Sequence, residues 1–206
     1  MQPNVIMILI DDLGWMDLSC QGSSFYETPH IDQLRREGMA FDQAYAACPV
    51  CSPSRASILS GKYPARLKVT DWIDHENYHP CRGKLIDAPY IKELSVSEFS
   101  MAKAFQEAGY QTWHVGKWHL GKEATYPEHH GFDVNLGGSW WGHPKKGYFS
   151  PYHMENLSDG PEGEYLTDRI GAEAAALIRS QQSSEGSVLA GIIYHMGYVR
   201  DQYGVS

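Results

Sequence analysis

Two aspartates, Asp11 and Asp12, directly follow the apolar run NVIMILI. Adjacent carboxylates repel each other, so a buried pair calls for a cation, and hard oxygen donors suit calcium or magnesium. The alternative for such a pair is an exposed acidic turn, since charged side chains are mostly exposed. A second group, GKWHLG, carries Lys117 and His119 between Gly116 and Gly121. A lysine is a point charge for an oxyanion, and a histidine can donate to that oxyanion or move a proton. Taken alone, the hexapeptide reads equally as a tight turn with an exposed lysine and a packed tryptophan. A third group, CPVCSPSR, places Cys48 and Cys51 ahead of Arg55. Cys-x-x-Cys at a helix start is a dithiol redox arrangement or a structural pair. Zinc is disfavoured, because no second Cys-x-x-Cys completes a four-ligand site. The redox reading accounts for two cysteines but not for Arg55, the aspartate pair, or Lys117 and His119.

Elements must bring these groups together. NVIMILI reads as a buried strand, apolar on both faces, as parallel sheets require. TPHIDQLRREG predicts a helix with Thr28 as N-cap, Pro29 at its first position and Gly38 as stop. MAFDQAYA is a second strand candidate, and SPSRASILSG a short helix opened by Ser52-Pro53 and closed by Gly61. Residues 62–95 and 123–163 read as long functional loops. Between them lie a helix, SMAKAFQEAG, capped by Ser100, and a strand, QTWHVG. EYLTDRIGAEAAALIRSQ is a strong helix and SVLAGIIYHM a last strand. The alternation predicts an α/β fold, a mostly parallel sheet flanked by helices. Ligands of such sheets bind beyond the carboxyl ends of the strands, where Asp11, Asp12, Lys117 and His119 all fall.

The chain has 206 residues and a formal net charge of -8, which argues against a nucleic-acid partner. A focused positive pocket for a small anion remains compatible with that charge. No segment reaches the roughly 18 apolar residues of a membrane span. MQPNVIMILIDD lacks a basic start and a small-residue cleavage site, so no signal peptide is expected and localisation stays open. Four cysteines, Cys20, Cys48, Cys51 and Cys81, make no dense disulfide framework.

CSPSRASILSGKYPARL resembles the signature of type I, formylglycine-dependent sulfatases, members of the alkaline phosphatase superfamily. Cys51, Pro53 and Arg55 match its Cys-x-Pro-x-Arg, and Leu59, Ser60 and Gly61 fit as well. PNVIMILIDDLGWMDLSCQG, ETPHIDQLRREGMAFDQAYA and AFQEAGYQTWHVGKWHLG resemble three further blocks of the family in the same order. The resemblance implies that Cys51 is the precursor of formylglycine, made by a formylglycine-generating or sulfatase-maturing enzyme. One hydroxyl of its hydrate would attack sulfur, and the other would then expel sulfate.

The resemblance further implies a calcium or magnesium ion held by Asp11, Asp12 and residue 51. Arg55 would hold the diol, and Lys117 and His119 would act in catalysis and bind the sulfate. The substrate would be a sulfated small molecule or carbohydrate. Trp140, Trp141, His143, Lys145 and Lys146 lie in a segment that lines or approaches the pocket in this family; a surface loop packing its aromatics is the equal alternative. Cys48 is expected to be a small buried hydrophobe.

The family's downstream Asp-Asn metal pair has no match, since no Asp-Asn dipeptide occurs in the chain. His195, after the last strand, would stand for a downstream histidine, without the proline that usually follows it in the family. Family members are longer, so residues 1–206 are read as the amino-terminal part of a sulfatase catalytic domain, and often such proteins are exported. The competing readings are a catalytically incomplete sulfatase fragment, a phosphohydrolase of the same superfamily and a Cys48/Cys51 redox protein.

Overall fold

The computed structural model describes residues 3–74, 84–85 and 88–181, and the backbone of a strand at 188–195. Cys81 and the final stretch 196–206 lie outside the described residues. The chain groups into two compact units, one of residues 1–11 and 47–206, the other of residues 12–46.

Among the described residues the larger unit is built on one parallel sheet of four strands in the order β1-β4-β2-β3. The strands are β1 (Val5–Asp11), β2 (Gln111–Gly116), β3 (Val134–Leu136) and β4 (Val188–His195). The last strand in sequence is inserted between β1 and β2 and pairs in parallel with both. Its register sets His195 opposite Asp11, and Ile193 opposite Gly116. The carboxyl ends of three strands are thereby gathered at one edge, as a parallel α/β sheet demands.

β2 is buried along its whole length after Gln111, because both of its faces are covered. α4 (Met101–Glu107) packs on one face and shares with α2 (Cys51–Ser60) and α3 (Pro64–Leu67) a core that includes Ala56, Leu59, Leu67, Ala102, Trp118 and Phe132. The other face meets α5 (Leu166–Gln181) through Trp113, Val115, Leu166, Ile170 and Ala174. In α5 the buried residues recur every four positions, the stripe that a 3.6-residue period turns to one side. Local signals fix the helix ends. The Ser100 hydroxyl accepts from Lys103 N at 3.0 Å, and Gly61 closes α2 with φ 67, a value that favours glycine.

Several expectations are corrected. β1 is an edge strand, and Ile6 and Ile8 are half exposed rather than buried on both faces. α2 begins at Cys51, with Val50 as N-cap, so Ser52 and Pro53 lie inside its first turn. There Pro53 forgoes an N–H that has no intrahelical partner in any case. The two long loops contain short elements: α3 in the first, and β3 with two 3-10 turns in the second. The first loop also contributes Val69 and Ile73 to the core, both almost fully buried.

In the smaller unit α1 (Pro29–Glu37) follows two 3-10 turns. Thr28 precedes it and bonds the Asp32 carboxylate at 2.8 Å, and that carboxylate also accepts from Cys20 N at 3.1 Å. MAFDQAYA forms no strand. Met39, Phe41 and Tyr45 are exposed, so the residues that alternation would turn inward have no core to enter.

Candidate active site

Asp11 ends β1 and is almost fully buried. Its Oδ2 accepts from Arg55 Nη2 at 2.5 Å and from Lys117 Nζ at 2.9 Å. Burial alone would raise the carboxyl pKa, but the two cations outweigh it and hold Asp11 well below the usual carboxylate range. Arg55 reaches inward from the second turn of α2, and its Nη1 donates to Lys117 O at 2.6 Å. One guanidinium therefore ties the first strand to the backbone that follows the third strand in sheet order.

His119 follows two residues later with φ 57, a left-handed conformation uncommon outside glycine. Its amide donates to Ser139 O at 3.1 Å. Nε2 lies 2.7 Å from Ile73 O; a carbonyl only accepts, so Nε2 carries the proton. Nδ1 is then a lone pair, and it lies 3.3 Å from Cys51 Sγ. Burial, with Lys117 and Arg55 nearby, lowers the imidazole pKa to about 3, so the ring is neutral. The site thus holds a neutral base against residue 51, with an ion-paired Asp11, Arg55 and Lys117 beside it.

Position 51 opens α2, where unpaired N–H groups and the helix dipole favour negative charge. Cys48 and Cys51 are both free thiols, and Cys48 is half-buried. Its carbonyl accepts the Ser54 hydroxyl, which ties the chain before α2 to the helix.

The donors present fit a divalent cation only in part. Asp12 is exposed, has φ 58 and opens the smaller unit. Both ion pairs of Asp11 fall on one carboxylate oxygen. Among the described residues no group of three or more His, Cys, Asp and Glu side chains gathers as a metal site. Calcium takes about 6 to 8 oxygens, far more than two carboxylates supply.

Lys117 also borders a cleft whose walls include Trp141, Pro144, Met154, Leu166 and Ile170. His143 lines it too and is exposed. Lys145 Nζ lies 3.6 Å over the Trp140 ring, a cation-π contact, and Lys146 is exposed. Gly142 packs against His119, and a Cβ there would lie 2.7 Å from His119 Cε1. The loop between β3 and the cleft therefore backs the imidazole as well as lining the pocket.

Sequence reasoning missed three contributors: the Ile73 and Ser139 carbonyls that hold His119, and His114, buried inside β2. Backbone acceptors have no side-chain signature. A histidine in the middle of the strand QTWHVG, between tryptophan and valine, was the one available signal.

The Sulfatase family model matches residues 3–205. N-acetylgalactosamine-6-sulfatase of Mus musculus is 38% identical over 151 residues, which cover 73% of this chain and 27% of that protein. Steryl-sulfatase of Mus musculus is 41% identical over 142 residues, covering 66% of this chain and 22% of that protein. The chain therefore spans about a quarter of the length of these relatives. The crystal structure of Ps i-CgsB superimposes with a TM-score of 0.75 at 26% identity, covering 97% of this chain and 46% of that one. A second structure of Ps i-CgsB is a complex with k-i-k-neocarrahexaose, with a TM-score of 0.73.

Proposed function

Because this chain belongs to the sulfatase family, we propose that its site hydrolyses an organic sulfate ester at residue 51, after oxidation of Cys51 to formylglycine. The observation that carries the reading is His119 Nδ1, a neutral lone pair 3.3 Å from Cys51 Sγ. Sγ stands in for an oxygen of the modified residue. Formylglycine, once formed, supplies a hydrated aldehyde, a nucleophile with a second hydroxyl that can drive sulfate release. A calcium or magnesium ion would be held by Asp11, Asp12 and residue 51, and would polarise sulfate oxygens.

The chain's own groups divide the remaining work. His119 Nδ1 accepts a proton from residue 51 and returns it, while Ile73 O keeps the ring in the required tautomer. Lys117 Nζ neutralises charge on the sulfate oxygens from beside Asp11. Arg55 orients Asp11 and the Lys117 backbone through its bonds to both, and from the second turn of α2 it would hold the diol at residue 51. The first turn of α2 adds its positive end. The apolar cleft beside Lys117 takes the organic part of the ester, a sulfated small molecule or carbohydrate, with His143 at its rim. His195, in register with Asp11, approaches the same edge from β4.

A second reading, a catalytically incomplete sulfatase fragment, is supported by the quarter-length match and by the lack of a three-ligand cluster among the described residues. Peptide mass mapping of residue 51, joined to aryl sulfate hydrolysis by the parent and by Cys51→Ala, tests the main reading. Formylglycine at 51 and loss of turnover in the variant are expected; full turnover by Cys51→Ala would sink it.

A further inference from the structure

The strand end that carries Lys117 and His119 is clamped at three points. Ser139 O accepts from His119 N at 3.1 Å, and Arg55 Nη1 donates to Lys117 O at 2.6 Å. The third clamp is His114, whose Nε2 lies 3.1 Å from Gly116 O. A carbonyl cannot donate, so Nε2 bears a proton; burial keeps the ring neutral, which leaves Nδ1 as the lone pair. His114 is fully buried, set edge-on to Trp118 and to Phe132 with ring centroids 5.3 Å away in each case.

A valine or isoleucine would fill a buried strand position at no polar cost, whereas a buried imidazole must be compensated by its hydrogen bonds. The bond it makes is to the peptide immediately before Lys117. Gly116 has φ 104, which spares the turn a steric clash but leaves that peptide without a side chain of its own to hold it. Gly138 seals the arrangement, since a Cβ there would lie 2.6 Å from His114 Cδ2.

We propose that His114 is a positioning residue for Lys117: its neutral Nε2–H, held on the Gly116 carbonyl, fixes the peptide plane from which the Lys117 ammonium reaches Asp11 and, in a complex, the sulfate. His114 touches no reacting atom and acts through the backbone. The kinetic part of this proposal rests on the sulfatase reading; the structural part does not. A space-filling role would be met by leucine, which has similar bulk. A positioning role requires a donor at the Nε2 position, which glutamine provides and leucine lacks.

The test compares the parent, His114→Leu and His114→Gln in the full-length protein with formylglycine confirmed at 51. Measured are kcat and KM for an aryl sulfate per formylglycine-bearing site, the protonated ring nitrogen of His114 by 15N NMR, and the Lys117 amide resonance. His114→Leu is expected to lower kcat on the order of 10- to 100-fold, the scale of a small misplacement at a catalytic group. His114→Gln recovers most of that loss, and the parent shows the Nε2–H tautomer. The Lys117 amide shifts in the leucine variant and returns in the glutamine variant. A leucine variant within threefold of the parent, a glutamine variant no better than leucine, or an Nδ1–H tautomer overturns the proposal. If the leucine variant does not fold, the glutamine variant must retain kcat within threefold and the tautomer must hold. If the parent hydrolyses no sulfate ester, the functional reading has failed, and the tautomer and the Lys117 resonance alone decide His114.

Discussion

Neutralising Asp11 takes the carboxylate away from two buried cations. Arg55 and Lys117 are 3% and 6% exposed at their side chains, so neither can turn to water without breaking its surroundings. Asp11→Asn is expected to cost about 3–5 kcal/mol of stability, the usual penalty for breaking a buried ion pair. A drop in the urea midpoint measures it; an unchanged midpoint would show that the cluster contributes no net stability. The carboxyl pKa is depressed in the folded state, so its contribution is complete above the unfolded pKa and is lost only as pH falls through the much lower folded value. At residue 51 the expectation is chemical. Cys51→Ala abolishes sulfate-ester turnover in the matured full-length protein, and Cys48→Ala leaves much of it, because Cys48 offers the helix a carbonyl rather than a thiol. Equal loss in the two variants would favour the dithiol reading.

The loop that follows β3 sets the back of the site. Gly142→Ala would place a methyl 2.7 Å from His119 Cε1, and the ring would have to leave Ile73 O or Cys51 to make room. We expect kcat to fall about 100-fold, the scale of such a displacement, with stability less affected. Retained kcat would show that the loop moves away instead. Trp141 belongs to the same segment but faces the cleft. Trp141→Ala is expected to raise KM for an aromatic or sugar sulfate more than it lowers kcat; a change confined to kcat would take the organic group out of the cleft.

Across the whole molecule, buried histidines link stability to pH. Among the described residues His114 and His130 are fully buried and His119 nearly so, and burial lowers their pKa values to about 3, about 4 and about 3. The unfolded chain binds protons near pH 6.5 that the folded chain refuses, so stability rises with pH across the interval between those values. The three sites together imply a slope of about 4 kcal/mol per pH unit near pH 5. The pH dependence of the urea midpoint checks this, and His114→Gln should remove about a third of the slope. A flat profile from pH 7 to 5 would mean that water reaches all three rings. The same scale governs activity. Matched to about a quarter of the length of its relatives, and with no cluster of three or more candidate ligands among the described residues, the chain alone should turn over aryl sulfates far more slowly than a full-length relative with formylglycine confirmed. Comparable turnover would show that the site is complete in residues 1–206.

Short-range physics made much of this protein legible in its sequence. The apolar run before Asp11, the Ser100 cap, the stop at Gly61 and the four-residue stripe of α5 each specify a local conformation from neighbouring residues alone. The order of strands and helices then required a parallel sheet, which brings the ends of β1 and β2 to one edge. The cysteine-proline-arginine spacing named the residues of the family signature. Tertiary structure decided what no neighbouring residue encodes. It inserted the last strand between β1 and β2, left β1 at the edge and gave MAFDQAYA no partner. It turned Arg55 toward Asp11 and Lys117 O, and it chose the His119 tautomer through a carbonyl 46 residues away in sequence. A strand's place depends on which distant segments bury it, and a buried polar group's role on which distant partner satisfies it.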